Sequence, residues 1–194
     1  MQISAGQLSN MLIKDQDLFH QERAAVVKAG LCSSPWQHLD STGTRVNGTN
    51  QHCHILCNQL YSFYCTLPSK DRRSYLRVLL GGADPSFRLD EVAMGLLRHL
   101  KVSPKWSDQL VKVLTADQDL SEEELDLLLD RGLPKLGPLV RKDIKDALAI
   151  AAYRTQGSYP VVRLLLCDDA PQFNWLTLEL ALCWIHEYRH YKAL

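Results

Sequence analysis

The run Val161-Val162-Arg163-Leu164-Leu165-Leu166-Cys167 is short and almost wholly apolar, and it stops abruptly at Asp168-Asp169. A segment of that kind marks a strand buried on both faces, the situation of a central parallel strand. Such a strand needs a sheet beside it and helices over it. The acid at its end is costly unless something positive meets it. A second acid, Asp40, lies far away in the chain but also in a strand-like setting, Trp36-Gln37-His38-Leu39-Asp40-Ser41-Thr42-Gly43-Thr44-Arg45-Val46. Two acids on neighbouring strands would make a site for a divalent metal of the kind that drives phosphodiester chemistry.

The sheet is supplied ahead of the helices. Residues 36–46 have strand character, and Asn47-Gly48 is a strong hairpin turn because both residues tolerate positive φ. Residues 50–57 form the return strand. Residues 60–66 form a third, ended by Pro68, which completes a meander. Before it, residues 8–29 carry apolar side chains near helical spacing, with Gly30 as a natural stop. That segment serves either as a packing helix or as a linker helix docking a partner domain.

After the meander the chain turns helical for about ninety residues. Ser69 opens a helix that Gly81-Gly82 ends, and residues 90–102 form a second. Ser103-Pro104 starts a third. Ser121-Glu122-Glu123-Glu124 is a capping box ahead of a fourth, stopped at Gly132. Residues 138–154 form a fifth. Glu122, Glu123, Glu124 and Asp126 cluster at a helix start, where they complement the dipole and solvate the surface. Beyond the apolar strand, residues 177–194 have helical spacing through Leu178, Leu182, Ile185 and Arg189.

The composition is that of a globular protein with a real core: 46% hydrophobic and 23% charged over 194 residues. Lys plus Arg equals Asp plus Glu at 22 each, whereas a self-sufficient DNA-binding protein is usually more basic. No apolar run is long enough to span a bilayer, and the N-terminus lacks the blocks of a signal peptide. A cytoplasmic location is therefore expected, with no membrane partner. The six cysteines mostly sit in apolar runs and are expected to be free. His52, Cys53, His54 and Cys57 invite a zinc site, but on one strand they point alternately to opposite faces, which argues against a closed tetrahedral centre; Cys183 and His186, three residues apart, could add two ligands, though nothing in the sequence demands it.

Each acid alone also fits a plain role, Asp40 bonding Ser41 or Thr42 and Asp168 capping a turn before Pro171. Strand order favours the metal site: Trp36, His38, Asp40, Thr42 and Thr44 share one face of the first strand, and Asp168 ends the strand expected to run parallel beside it. Three antiparallel strands, a helical block, a parallel strand and a helix match the first two-thirds of a ribonuclease-H-like fold, a mixed α/β sheet carrying a large helical insert.

Three motifs carry a more specific likeness. Asp40-Ser41-Thr42-Gly43-Thr44-Arg45-Val46 resembles the Asp-Glu-Thr-x-x-x-Val strand of bacterial insertion-sequence transposases of the insertion-sequence-sixty-six group. Cys167-Asp168-Asp169-Ala170-Pro171-Gln172-Phe173 is similar to that group's second-acid strand. Cys183-Trp184-Ile185-His186-Glu187-Tyr188-Arg189 resembles its Cys-Trp-x-His-x-x-Arg helix, and the three occur in the family's order.

The resemblance implies a transposase catalytic-domain fragment. Residues 1–31 would be a linker helix, 32–68 the first three strands, 69–158 an insert without catalytic acids, and 159–194 the fourth strand and its following helix. The implied activity is DNA strand cleavage at element ends and strand transfer, with Mg²⁺, or Mn²⁺ in its place, held by Asp40 and Asp168. Asp169 is the alternate second acid. The third acid of the family's Asp-Asp-Glu triad has no counterpart before Leu194, and Glu187 falls inside the helix motif rather than after it. The chain is thus expected to be truncated, to hold metal weakly and not to cut DNA alone. His186, Arg189, His190 and Lys192 form a basic helix face that would contact DNA phosphates, or simply complement a helix end. The implied partners are transposon-end and target DNA, a second copy, or full-length transposase. The contrasting expectation is a non-catalytic remnant of a decayed element that only binds DNA or transposase.

Overall fold

A computed structural model describes residues 3–14 and 16–192, the side chain of His190 excepted. In it a five-stranded mixed sheet is joined to a helical insert. The chain opens with α1 (Ala5–Ile13) and α2 (Asp17–Cys32). It then forms β1 (Trp36–Val46), β2 (Thr49–Cys57) and β3 (Ser62–Leu67) as an antiparallel meander. The β1–β2 turn uses the positive φ of Asn47 and Gly48, as that pair favours.

The expected single helix over residues 8–29 is two helices, and the second continues past Gly30 to Cys32. Gly30 is there for space rather than as a stop. A Cβ at this position would lie 2.4 Å from the Tyr61 ring. That ring is pinned, because the Tyr61 hydroxyl donates to Gln37 Oε1 at 3.0 Å and the Gln37 amide bonds back to the carbonyls of Gly30 and Leu31.

The insert holds α3 (Arg72–Leu79), α4 (Glu91–His99), α5 (Pro104–Val113), α6 (Glu122–Gly132) and α7 (Pro138–Thr155). Two short strands, β4 (Phe87–Arg88) and β5 (Asp119–Leu120), pair within it. Its helices start where their caps dictate. Asp71, not Ser69, caps α3 by accepting from the Ser74 amide, while Ser69 bonds Ser74 through its hydroxyl. Asp90 caps α4, Pro104 opens α5, and Ser121 with Glu124 forms a complete capping box on α6. Every residue of α7 from Ile144 to Tyr153 is buried. Ile144, Leu148, Ile150 and Tyr153 among them join Leu39, Leu56 and Phe63 of the sheet in one apolar cluster, so sheet and insert share a core.

The chain returns to the sheet as β6 (Leu164–Cys167), parallel to β1. The strand is shorter than the apolar run that announces it. A second difference lies beyond it. Helix was expected from residue 177, but Glu179–Leu182 is a strand, β7, parallel to β6, and only Trp184–Lys192 forms the last helix, α8. Tertiary bonds override the helical spacing. Arg154 of α7 donates to the carbonyl of Thr177 at 2.6 Å, the Glu179 amide donates to the Arg163 carbonyl at 3.0 Å, and Arg163 pairs with the Glu179 carboxylate at 3.0 Å. Leu178, Leu180 and Leu182 also repeat every second residue, a strand period the helical one masks. The sheet order is β3-β2-β1-β6-β7. Among the described residues no helix is long and apolar enough to cross a membrane.

His54 of β2 is fully buried and fixes the link between β3 and α3. Its Nε2 lies 3.0 Å from the Ser69 carbonyl. A carbonyl only accepts, so Nε2 carries the proton and Nδ1, buried without a partner, does not. Burial pushes the imidazole below its ordinary value, and nearby His52 adds to this, while the Ser69 bond and Asp71 oppose it. The unfolded chain therefore takes up the proton first. Stability from this group is whole above the ordinary value of 6.5 and is lost as pH falls from there through the lower folded value. The melting temperature is expected to drop between about pH 7 and pH 5, and His54→Phe is expected to flatten that part of the profile even if it lowers the plateau. A separate test concerns Gly30: Gly30→Ala should cost about 1–3 kcal/mol in urea unfolding through overpacking against the pinned Tyr61 ring.

Candidate metal centre

Asp40 and Asp168 meet because of strand register. β1 pairs with β6 as Trp36↔Leu164, Gln37↔Leu165 and His38↔Leu166. Two residues beyond the last of these pairs lie Asp40 in β1 and Asp168 just past the end of β6, and a shift of two keeps a side chain on the same face. Along β1, Gln37 and Leu39 are buried while Asp40 is exposed, so the acid sits on the open side of the sheet. A ligand oxygen of each acid and a ring nitrogen of His186 all lie within 4.8 Å of one another. Among the described residues this is the one convergence of three or more potential metal ligands. His52, Cys53, His54 and Cys57 do not form one.

Backbone bonds place His186. The Cys183 amide donates to the Cys167 carbonyl at 2.8 Å, which ties the start of α8 to the end of β6. The His186 and Glu187 amides then donate to the Cys183 carbonyl at 3.0 and 3.2 Å, closing the first turn. The ring thereby comes beside the residue that follows Cys167, which is Asp168. His186 Nδ1 is buried and has no hydrogen-bond partner. Sequence reasoning put His186 on a basic helix face, for DNA phosphates or a helix end, and named it a metal ligand only in a zinc set with Cys183. Its place beside the acids depends on β7, the strand that helical spacing hid.

The other expected site residues lie elsewhere. Asp169 is exposed and outside the cluster. Arg189 and Lys192 are exposed on α8, and the side chain of His190 lies outside the described residues. Glu122 and Asp126 do more than solvate a helix start. Lys145 reaches Glu122 at 2.6 Å and Asp126 at 2.9 Å, and Arg141 reaches Asp126 at 2.8 Å. Despite partial burial, the hydrogen bonds from Arg141 and Lys145 hold the Asp126 carboxyl below its ordinary value.

The field at the centre is negative. Among the described residues neither Asp40 nor Asp168 is paired with a lysine or arginine, since none of the ion pairs includes them. Among the described residues their hydrogen bonds come from the backbone: Asp40 accepts from the Ser41 amide at 2.7 Å and Asp168 from the Ala170 amide at 3.0 Å. Neighbouring groups register the charge. Burial, then Asp168, Cys183 and Asp40, push the Cys167 thiol up to about 12. Burial and Asp40 raise Cys57. The Tyr75 phenol, 3.0 Å from the Ser41 hydroxyl, is raised by burial and by both acids, against the pull of its bonds to Ser41 and Gln172. All three stay neutral near pH 7.

The loop after Asp168 is held from the insert. Arg72 donates one Nη to the Pro171 carbonyl at 3.1 Å and the other to Asp146 at 3.0 Å. Lys142 also reaches Asp146, at 2.9 Å. The Asp146 side chain is 1% exposed and that of Arg72 10%, so the pair is buried.

Comparison with protein-family models, with curated proteins and with solved structures finds no match for this chain.

Removing one partner of a buried pair strands the other's charge. Asp146→Ala is expected to lower stability by about 3–5 kcal/mol in denaturant unfolding. The double variant Arg72→Met/Asp146→Leu, which strands neither of the two, should recover most of that loss.

Proposed function

We propose that the chain carries a metal-dependent DNA strand-cleavage and strand-transfer site of the transposase type, on a ribonuclease-H-like sheet. The observation that carries this reading is the meeting of Asp40 and Asp168 across parallel strands. The sheet order β3-β2-β1-β6-β7, with an antiparallel meander and two parallel strands, supports the fold reading. The helical insert between β3 and β6 supplies no member of the acid cluster.

The donor set fits a hard divalent cation, because two carboxylates lacking a basic partner are what Mg²⁺ or Mn²⁺ requires. When bound, such an ion supplies Lewis-acid stabilisation of the charge that builds on phosphate oxygens and lowers the pKa of an attacking water. The chain's own residues do the positioning. Asp40 and Asp168 fix the site on the exposed side of the sheet. Arg72 and the turn over Pro171–Phe173 hold the Asp168 loop. An open groove of about 410 Å³ lined by Lys70, Lys142, Pro171 and Gln172, among others, runs beside that loop. Lys70 there, with Arg189 and Lys192 on α8, offers positive charge for a phosphate backbone.

The test is nicking of supercoiled DNA by the purified chain in Mn²⁺. Against the expectation of no cutting drawn from the missing third acid, slow nicking is expected because His186 joins the two acids, with Asp40→Asn and Asp168→Asn each reducing it by roughly 100-fold or more, in line with the several kcal/mol of metal stabilisation lost. Asp169→Asn should retain activity. No nicking in either metal, or nicking indifferent to Asp40 and Asp168, would refute the reading in favour of a binding role without chemistry.

A further inference from the structure

An Asp-Asp pair leaves the third ligand unassigned, and no carboxylate in the described residues completes the cluster. We propose that His186 is the third metal ligand, which makes the site an Asp-Asp-His centre that selects Mn²⁺ or a similar first-row cation over Mg²⁺. This rests on the reading of Asp40 and Asp168 as metal ligands, and not on the identity of the nucleic acid.

Three observations support the assignment. A ring nitrogen of His186 lies within 4.8 Å of a ligand oxygen of each acid, a separation that one ion between them would close. His186 Nδ1 is buried without a hydrogen-bond partner. Buried polar atoms are almost always satisfied, and metal coordination together with an oriented second nitrogen is how ligand imidazoles meet that need. Finally, His186 and Asp168 are fixed by the same strand end. The bond from the Cys183 amide to the Cys167 carbonyl and the first turn of α8 leave the ring little freedom to move away.

The ligand types then decide the metal. Mg²⁺ demands near-ideal octahedral oxygen coordination, while imidazole suits the later first-row metals and carboxylate suits Mn²⁺. Two oxygens and one nitrogen therefore favour Mn²⁺ over Mg²⁺. The opposing possibility is an imidazolium that merely neutralises the two acids. It makes the contrary prediction, because removing a competing cation would leave metal binding unchanged or make it tighter.

The experiment uses the full chain without DNA. Mn²⁺ binding is followed by electron paramagnetic resonance, and ¹⁴N modulation of bound Mn²⁺ reports a nitrogen ligand. The wild type is expected to bind Mn²⁺ more tightly than Mg²⁺ and to show ¹⁴N modulation. His186→Ala should weaken Mn²⁺ by roughly 10-fold or more, at least the loss that follows removal of a ligand's outer partner, and should abolish the modulation. His186→Asp, which restores a third ligand as oxygen, should bind without modulation and with a smaller preference for Mn²⁺. Mn²⁺ bound by His186→Ala as tightly as by the wild type, or ¹⁴N modulation surviving in it, overturns the assignment. Binding unaffected by Asp40→Asn overturns the metal centre altogether. Because DNA is absent from this assay, a chain that binds Mn²⁺ as described but nicks nothing refutes only the proposed reaction.

Discussion

Three residue pairs between β1 and β6 set the geometry on which the site depends. The meander is local, and its antiparallel ladders form between neighbours in sequence. β6 arrives only after the whole insert has been traversed, and it docks in parallel on the one edge the meander leaves beside β1. Side chains alternate along both strands, so the register that pairs His38 with Leu166 also sends Asp40 and Asp168 to one face. A slip of one residue would have offered Cys167 or Asp169 instead. The same docking makes β6 the template for β7, and the end of β7 launches α8 with His186 in its first turn. Two acids and an imidazole from distant parts of the chain thus depend on one short parallel contact.

That contact must be held against the entropy of closing a long loop, which grows only slowly with loop length. The insert is therefore tolerable if it folds on itself and grips both ends. It does so with an apolar core around α7 and with buried charge. Arg72 and Asp146 tie α3 to α7 and reach on to Pro171, while Arg73, Arg141, Lys142 and Lys145 are paired with Glu122, Asp126, Asp130 and Asp146. These pairs also bear on the neutral net charge. Much of the insert's basic charge is committed to its own acids, so any grip on phosphate falls to exposed cations such as Lys70, Arg189 and Lys192.

The meander was legible because its signals are local: a strand of alternating character, an Asn-Gly turn, a proline stop. So were the insert helices, whose caps at Asp90, Ser103 and Ser121 lie in the sequence. The apolar run ending at Asp168 announced a central strand, and with Asp40 it announced where two acids could meet. What failed was decided by tertiary partners. Gly30 looked like a stop, but it is a space for Tyr61 inside a continuing helix. Residues 179–182 have a helical hydrophobic spacing, yet β6, Arg154 and Arg163 draw them into a strand. Missing that strand also hid the position of His186, since the residue's location is meaningless until the end of β7 is known. Asp146 gave no signal at all, because an acid within a helix pattern looks like a solvated face until its helix proves buried on every side.

The electrostatic imbalance at the centre is the feature most at odds with a purely structural account. Elsewhere the chain pairs its buried acid with care: Asp146 has three cations around it. Among the described residues Asp40 and Asp168 are brought together with no lysine or arginine, on the open side of the sheet, while burial first and the nearby acid charge second raise the pKa of Cys57, Cys167 and Tyr75. A chain that packs its insert so thoroughly had the means to place an arginine beside these acids. A protein cation there would compete with any metal for the same oxygens, while an imidazole in its neutral form would add a ligand without competing. Two acids kept clear of protein cations leave their oxygens open to a metal, which is what the proposed centre needs. A His186 ring nitrogen beside those acids, on a ring whose Nδ1 is buried without a partner, fits the same logic.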